Sequence, residues 1–277
     1  MKEFNTNKKA LPVTYPIVTS YPTYANIFSI FSDNEEDLIW FYAQYFQLAM
    51  SKNDGSILDF GINSSINYYI MKICPLLDFH AIGSSLIDKN SKSIIDFIVS
   101  AIDEGYYLHM NVDTYEIPAY TRNYKKRHFG HDLMLYGYDK NTKTFNIADF
   151  FDGKYEFKTA TFDEIYKGHV NFPDYNHRAV LLKKTHITQT NLDIAKIKNI
   201  INDYLSSANA MRYMDYDFYF ADFLYGVEVY NLLKERIESG CVNITDFHLL
   251  YDHKTILLGL VNQLHKESHL KNNEYLI

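Results

Sequence analysis

The chain has 277 residues, 47% of them hydrophobic and 22% charged, which is enough for one large domain or two small ones around a buried core. Its net charge of −7 argues against nucleic acid as a main partner, and no apolar run nears the length of a membrane span or follows MKEFNTNKKA as a secretory leader would. Cys74 and Cys241, the two cysteines, make no disulfide framework and belong to no CxxC or Cys/His cluster, so the expectation is a reducing, cytoplasmic setting with no metal.

Residues 1–16 are polar and broken by Pro12 and Pro16, which predicts an extended lead-in. From Pro22 onward Ala25, Ile27, Phe28, Ile30 and Phe31 occupy too many faces for a surface helix, so a short buried helix is expected there, with Ser20, Pro22 or Thr23 supplying its start. A second helix follows Asp33. Glu35, Glu36 and Asp37 in its first turn complement the dipole, and residues 38–48 form its body. A loop is expected over 51–65, then a helix or strand from Ile66 to Cys74 that Pro75 stops.

Residues 91–103 carry helical spacing at Ile94, Ile95, Ile98, Val99 and Ile102, with Gly105 as the cap. Next comes a strand over 106–113, with Tyr107, His109, Asn111 and Asp113 on one side and Leu108, Met110 and Val112 on the other. Strands over 132–138 and 144–149 flank turn material at 139–142 and read as a hairpin. Further strands are expected at 154–158 and 177–182. Beyond residue 188 the pattern is helical over 192–205, over 218–237 with Gly226 interrupting, and over 246–264.

The aromatic content is high, at 25 Tyr and 19 Phe with one Trp. An A/T-rich codon bias accounts for it, as does an aromatic-lined substrate groove.

Chemistry concentrates in residues 120–149, YTRNYKKRHFGHDLMLYGYDKNTKTFNIAD. A hairpin symmetric about residue 140 puts His131 directly opposite Asp149. Such partners lie about 5 Å apart on one face, close enough for the carboxylate to accept the Nδ1–H, fix the tautomer and raise the basicity of the imidazole. The plainer alternative is that His131 only ends a strand and Asp149 only begins a loop. Lys125, Lys126 and Arg127 form the strongest basic cluster, either solvated loop surface or a site for a phosphate or an acidic helix. Asp215, Asp217 and Asp222 lack calcium-loop spacing, and His169, His177, His248 and His253 read as structural.

The string HFGHDLMLYGYD followed by FNIADF resembles the His and Asp elements of papain-like and bacteriocin-peptidase-like cysteine enzymes. More narrowly, with Asp113, Ile117-Pro118-Ala119-Tyr120 and the tail string 247–254, the chain resembles the family of the butirosin biosynthesis protein H N-terminal domain. That resemblance implies a papain-like α+β fold, an antiparallel sheet with N-terminal helices, over 1–187, and a helical C-terminal extension over 188–277. It implies an acyltransferase or amide-forming enzyme of natural-product biosynthesis, with an acyl or peptidyl carrier protein as partner. The phosphopantetheine arm of that carrier would be substrate, with no resident cofactor.

In this family a cysteine nucleophile belongs at the start of the early helix, with a His base and an Asp orienter matching His131 and Asp149. Residues 20–26 read SYPTYAN and hold no cysteine. Ser20 or Thr23 stands as a hydroxyl nucleophile or as a helix cap. The alternative function is an inactive homologue that binds a carrier or its substrate.

Overall fold

A computed structural model describes residues 6–53, 58–60, 69–172, 178–187, 191–209, 222–241 and 243–270. Its elements run β1 (Lys8–Ala10), α1 (Pro22–Phe31), α2 (Glu35–Gln44), β2 (Leu48–Ser51), β3 (Asp59–Phe60) and α3 (Tyr69–Ile73). The middle of the chain holds β4 (Leu77–Gly83), α4 (Ser84–Asn90), α5 (Ile94–Asp103), β5 (Tyr107–Asp113), β6 (Gly130–Asp139), β7 (Thr144–Phe151), β8 (Lys154–Thr161), α6 (Phe162–Val170) and β9 (Arg178–Lys184). Then come α7 (Ile194–Leu205), β10 (Phe223–Tyr225), α8 (Val229–Glu238) and α9 (Ile244–Lys266). The class is mixed α+β with antiparallel sheets.

Contacts divide the chain into two units. Unit 1 comprises residues 1–16, 22–30 and 74–186; unit 2 comprises 17–21, 31–73 and 187–277. Consecutive blocks divided near residue 187 do not anticipate that 17–21 and 31–73 group with the tail. Local periodicity carries no information about which distant segment an element packs on.

Unit 1 is built on a sheet ordered β4-β9-β5-β6-β7-β8, and β1 pairs with the far half of β6. α5 covers one face of it. Ser93 caps this helix by accepting the Asp96 amide, and Ile94, Ile98 and Ile102 recur at four-residue spacing toward the core. They meet Leu108, Met110 and Val112 of β5, Leu133 and Leu135 of β6 and Ile147 of β7, each burial contributing about 1.5–3 kcal/mol. The other side of β5 is covered too, since Tyr107, His109 and Asp113 are buried. α1 is tied to the sheet by Tyr155 of β8, whose hydroxyl donates to Asn26 Oδ1 at 2.9 Å. At Gly137 a Cβ would lie 2.8 Å from the Lys9 carbonyl oxygen, so only glycine lets β1 approach β6 this closely.

Between β6 and β7, Asp139 Oδ1 accepts the amides of Asn141 and Thr142. Thr144 pairs with Asp139 and Ala148 with Met134, the register shifting between Leu135 and Gly137. The expected symmetry about residue 140 is therefore not the observed register. The longer turn, held by its own side-chain bonding, offsets the pairing by three residues, and the bulge takes one of them back.

Unit 2 is organised by α9, which buries Leu249, Ile256, Leu260 and Leu264 and also the polar Asp246, Asp252 and His253. A small antiparallel sheet runs β10-β2-β3. Two expected helices are shorter than their patterns. The second ends at Gln44, and Leu48 begins β2 instead of extending it. The expected helix over 218–237 resolves, from residue 222 onward, into β10, a single 3-10 turn and α8. The break falls at Gly226, which has φ +56° and would place a Cβ 2.0 Å from the Tyr204 carbonyl oxygen. That conformation needs glycine and ends any helix arriving from before it. β4 and α4 follow Pro75 where the sequence reading named no element. Among the described residues no helix is long and apolar enough to cross a membrane.

Candidate active site

His131 stands near the start of β6, and Asp149 lies on β7. Their side chains meet: His131 Nδ1 is 2.7 Å from Asp149 Oδ2. Continuing the observed register toward the strand ends sets Asp149 beside Leu133, so the two are diagonal neighbours on one face, within reach of an imidazole and a carboxylate. A hairpin symmetric about residue 140 would put them directly opposite one another. The register is offset from that by two residues, but a two-residue shift keeps a side chain on the same face.

Nδ1 also faces the Asp132 carbonyl oxygen at 3.1 Å. With two acceptors before it, Nδ1 carries the proton and donates, which leaves the Nε2 lone pair available; this tautomer is inferred from the bonding pattern. Asp149 is fully buried, while the His131 side chain keeps 26% of its surface exposed. Burial by itself lowers an imidazole's pKa, but the Asp149 carboxylate outweighs it and His131 ends above its ordinary value. Burial raises the Asp149 pKa, against the pull of His131 and then of Tyr120.

Tyr120 is the residue that spacing did not reveal. Buried in the irregular stretch between β5 and β6, it donates its hydroxyl to Asp149 Oδ2, the same oxygen that holds His131. Burial first, then the Asp149 charge, keeps its phenol protonated. Tyr120 closes the string 117–120, but no strand or helix periodicity links it to residue 149.

A second imidazole–carboxylate pair lies beside the first. His128 Nδ1 is 2.6 Å from Oδ2 of the fully buried Asp113, and its ring stacks on Tyr115 at 4.1 Å. Asp113 Oδ1 accepts the amides of Tyr115 and Phe129. Asp113 thus holds both ends of the 114–129 segment. Phe129, still 43% exposed, has its ring 6.0 Å from that of His131.

The three cations of the basic cluster are not equivalent. Lys125 is paired with Glu116, whose carboxyl it holds below the usual range. Lys126 Nζ donates to the Thr121 carbonyl at 3.0 Å. Arg127 lies over the ring of Phe129, 5.5 Å from its centroid.

Neither hydroxyl expected at the early helix bonds to His131. Ser20 belongs to unit 2, where its amide and that of Thr19 donate to Asp252 Oδ2 at 2.6 and 2.7 Å. Thr23 is half-buried in the first turn of α1. Among the described residues no hydroxyl or thiol hydrogen-bonds to His131. Cys74 is buried, Cys241 is exposed, and neither is in a disulfide.

Three of the remaining histidines each have a partner. His169 is 3.7 Å from Asp88, His248 meets the Thr19 hydroxyl at 2.8 Å, and His253 faces the Phe46 carbonyl at 2.6 Å. Asp222 lies in a turn, its carbonyl accepting the Lys52 amide at 2.8 Å; His177, Asp215 and Asp217 lie outside the described residues. No group of three or more His, Cys, Asp or Glu able to hold a metal is present among the described residues.

No protein-family model matches the chain, and no curated protein sequence matches it.

Proposed function

We propose that unit 1 is a papain-like acyl-transfer site that forms an amide from a carrier-bound thioester, with His131 as the general base. The observation that carries this reading is the 2.7 Å bond from His131 Nδ1 to a fully buried Asp149, which leaves Nε2 available beside a partly exposed surface. An imidazole so oriented accepts a proton from an incoming nucleophile near neutral pH. With no thiol bonded to His131, the simplest route is direct attack by an amine. The amine nitrogen bonds to the thioester carbonyl carbon while its proton passes to Nε2. The carbon–sulfur bond then breaks, and the departing sulfur receives that proton. Asp149 holds the tautomer throughout, and Tyr120 holds Asp149. The partner is an acyl or peptidyl carrier protein, its phosphopantetheine arm presenting the thioester.

A second reading is favoured by one observation, that no hydroxyl or thiol among the described residues reaches His131. Under it, the unit binds a carrier or its substrate without turnover.

The experiment is incubation of the purified chain with acyl-loaded carrier protein and an amine, followed by intact mass, in the native chain and in His131→Ala. Direct transfer predicts acyl loss from the carrier in the native chain alone, with no acyl adduct on the chain itself. A stable adduct would indicate a hydroxyl or thiol nucleophile. Equal background rates in both chains would overturn the enzyme reading.

A further inference from the structure

The chain leaves a turn, in which the Arg127 amide donates to the Asn123 carbonyl, and enters β6 at Gly130, and ring contacts along 127–131 bring three side chains together. The Arg127 guanidinium sits 5.5 Å from the Phe129 centroid, and that ring sits 6.0 Å from the His131 ring. A permanent cation, an exposed aromatic face and the proposed base therefore form one row. His128 turns to the other side, onto Asp113 and Tyr115.

The row is held in place before any ligand arrives. Asp113 is fully buried and grips the Phe129 amide, the His128 ring and the Tyr115 amide together. Of the acidic groups around the row, Asp113 is in this clamp and Asp149 is with Tyr120 and His131, while Asp132, whose charge acts on His131, lies 3.8 Å from His109 Nε2. Glu116 is taken by Lys125 and Asn171. Arg127 is exposed and has no carboxylate in ion-pair reach among the described residues. The segment 113–132 carries four Lys and Arg against three acidic residues, in a chain of net charge −7.

We infer that Arg127, laid over Phe129, is a specificity residue that binds an anionic oxygen group, a carboxylate or a phosphate, on the substrate that His131 acts upon. The inference rests on the acyl-transfer reading for what His131 does, but not for the anion site itself. A guanidinium offers a planar pair of donors to such a group. Through the shared Phe129 ring it lies within about 12 Å of the imidazole. The preferred acyl donor or amine acceptor thus carries its negative charge within about 12 Å of the reacting centre, with an apolar stem along Phe129. Neutral donor–acceptor pairs are poor substrates.

The test is a titration of the full chain with succinate and, separately, inorganic phosphate, reading the His131 ring resonances by NMR. The native chain should show a saturable shift with at least one of the two anions. Arg127→Gln should weaken that binding about tenfold or more, Phe129→Leu should weaken it less, and Lys126→Gln should leave it unchanged. Saturation by succinate alone assigns a carboxylate, and by phosphate alone a phosphate. No saturable shift in the native chain, or an unchanged one in Arg127→Gln, overturns the inference. A shift that depends on Arg127 in a chain that transfers no acyl group leaves the anion site standing and removes only the acyl-transfer reading.

Discussion

His131 in unit 1 and His253 in unit 2 are two largely buried histidines held in opposite ways. His131 donates its Nδ1–H to a carboxylate and is raised above its ordinary pKa. His253, on α9, donates its Nε2–H to the Phe46 carbonyl oxygen, and burial pushes its pKa down to about 4. A neutral carbonyl orients an imidazole without repaying the loss of water around its charged form. A buried carboxylate does both, which is why only the first of these histidines is suited to accept a proton at neutral pH.

The largest expected effect tests that contrast at the carboxylate. Asp149→Asn removes the charge, keeps the shape and permits the wrong tautomer. If His131 is the base, acyl transfer should fall by about 10²–10⁴-fold in kcat/KM while the fold is retained by circular dichroism. A His253→Asn chain assayed in parallel should keep its activity.

Opposite signs of pH dependence come next. His253 has a folded-state pKa below its unfolded value, so its contribution is present above about pH 6.5 and is lost as pH falls from there through about 4. The full loss is about 3 kcal/mol. Denaturant midpoints across this range should drop more steeply in the native chain than in His253→Asn. His131 is raised, so its contribution is present below its unfolded value and is lost as pH rises through the folded value. Asp149, also raised, tilts stability the same way above its own unfolded pKa.

A smaller effect is expected at Tyr120→Phe, which takes one donor from a buried carboxylate. Stability should fall by about 1–3 kcal/mol. The His131 resonance should titrate at a higher pH, because Oδ2 then bonds to the imidazole alone. An unchanged His131 titration would show that Tyr120 does not act on the pair.

The smallest effects should not distinguish the two units at all. Ser93 caps α5 in unit 1 and Asn34 caps α2 in unit 2, each by accepting an amide of its own first turn. Ser93→Ala and Asn34→Ala should each cost about 1 kcal/mol by thermal or chemical denaturation. A large difference between them would mean that one helix end depends on more than its cap.

Much of the candidate site was legible because its partners sit on adjacent strands. Period-2 alternation and a short turn are local and pair the two strands, but His131 and Asp149 share a face because the bulge between Leu135 and Gly137 turns the three-residue offset of the turn into an even one. Tyr120, by contrast, comes from irregular chain with no period. The unequal fates of Lys125, Lys126 and Arg127 depend on Glu116, Thr121 and Phe129, contacts that a run of basic letters does not encode.

Local patterning was enough, alone, to place α1, α5, α7, α9 and the β5–β8 strands, since each is written in a repeat of apolar residues and in caps or turns within a few residues of its ends. It did not place the end of α2 or the break at Gly226. There the chain has apolar residues suited to more than one element, and the choice fell to a strand partner for Leu48 and to the close approach of Tyr204 to Gly226. Nor did it group 17–21 and 31–73 with the tail. The amides of Thr19 and Ser20 reach Asp252, more than 200 positions away, and only the folded chain decides which distant carboxylate satisfies a buried amide.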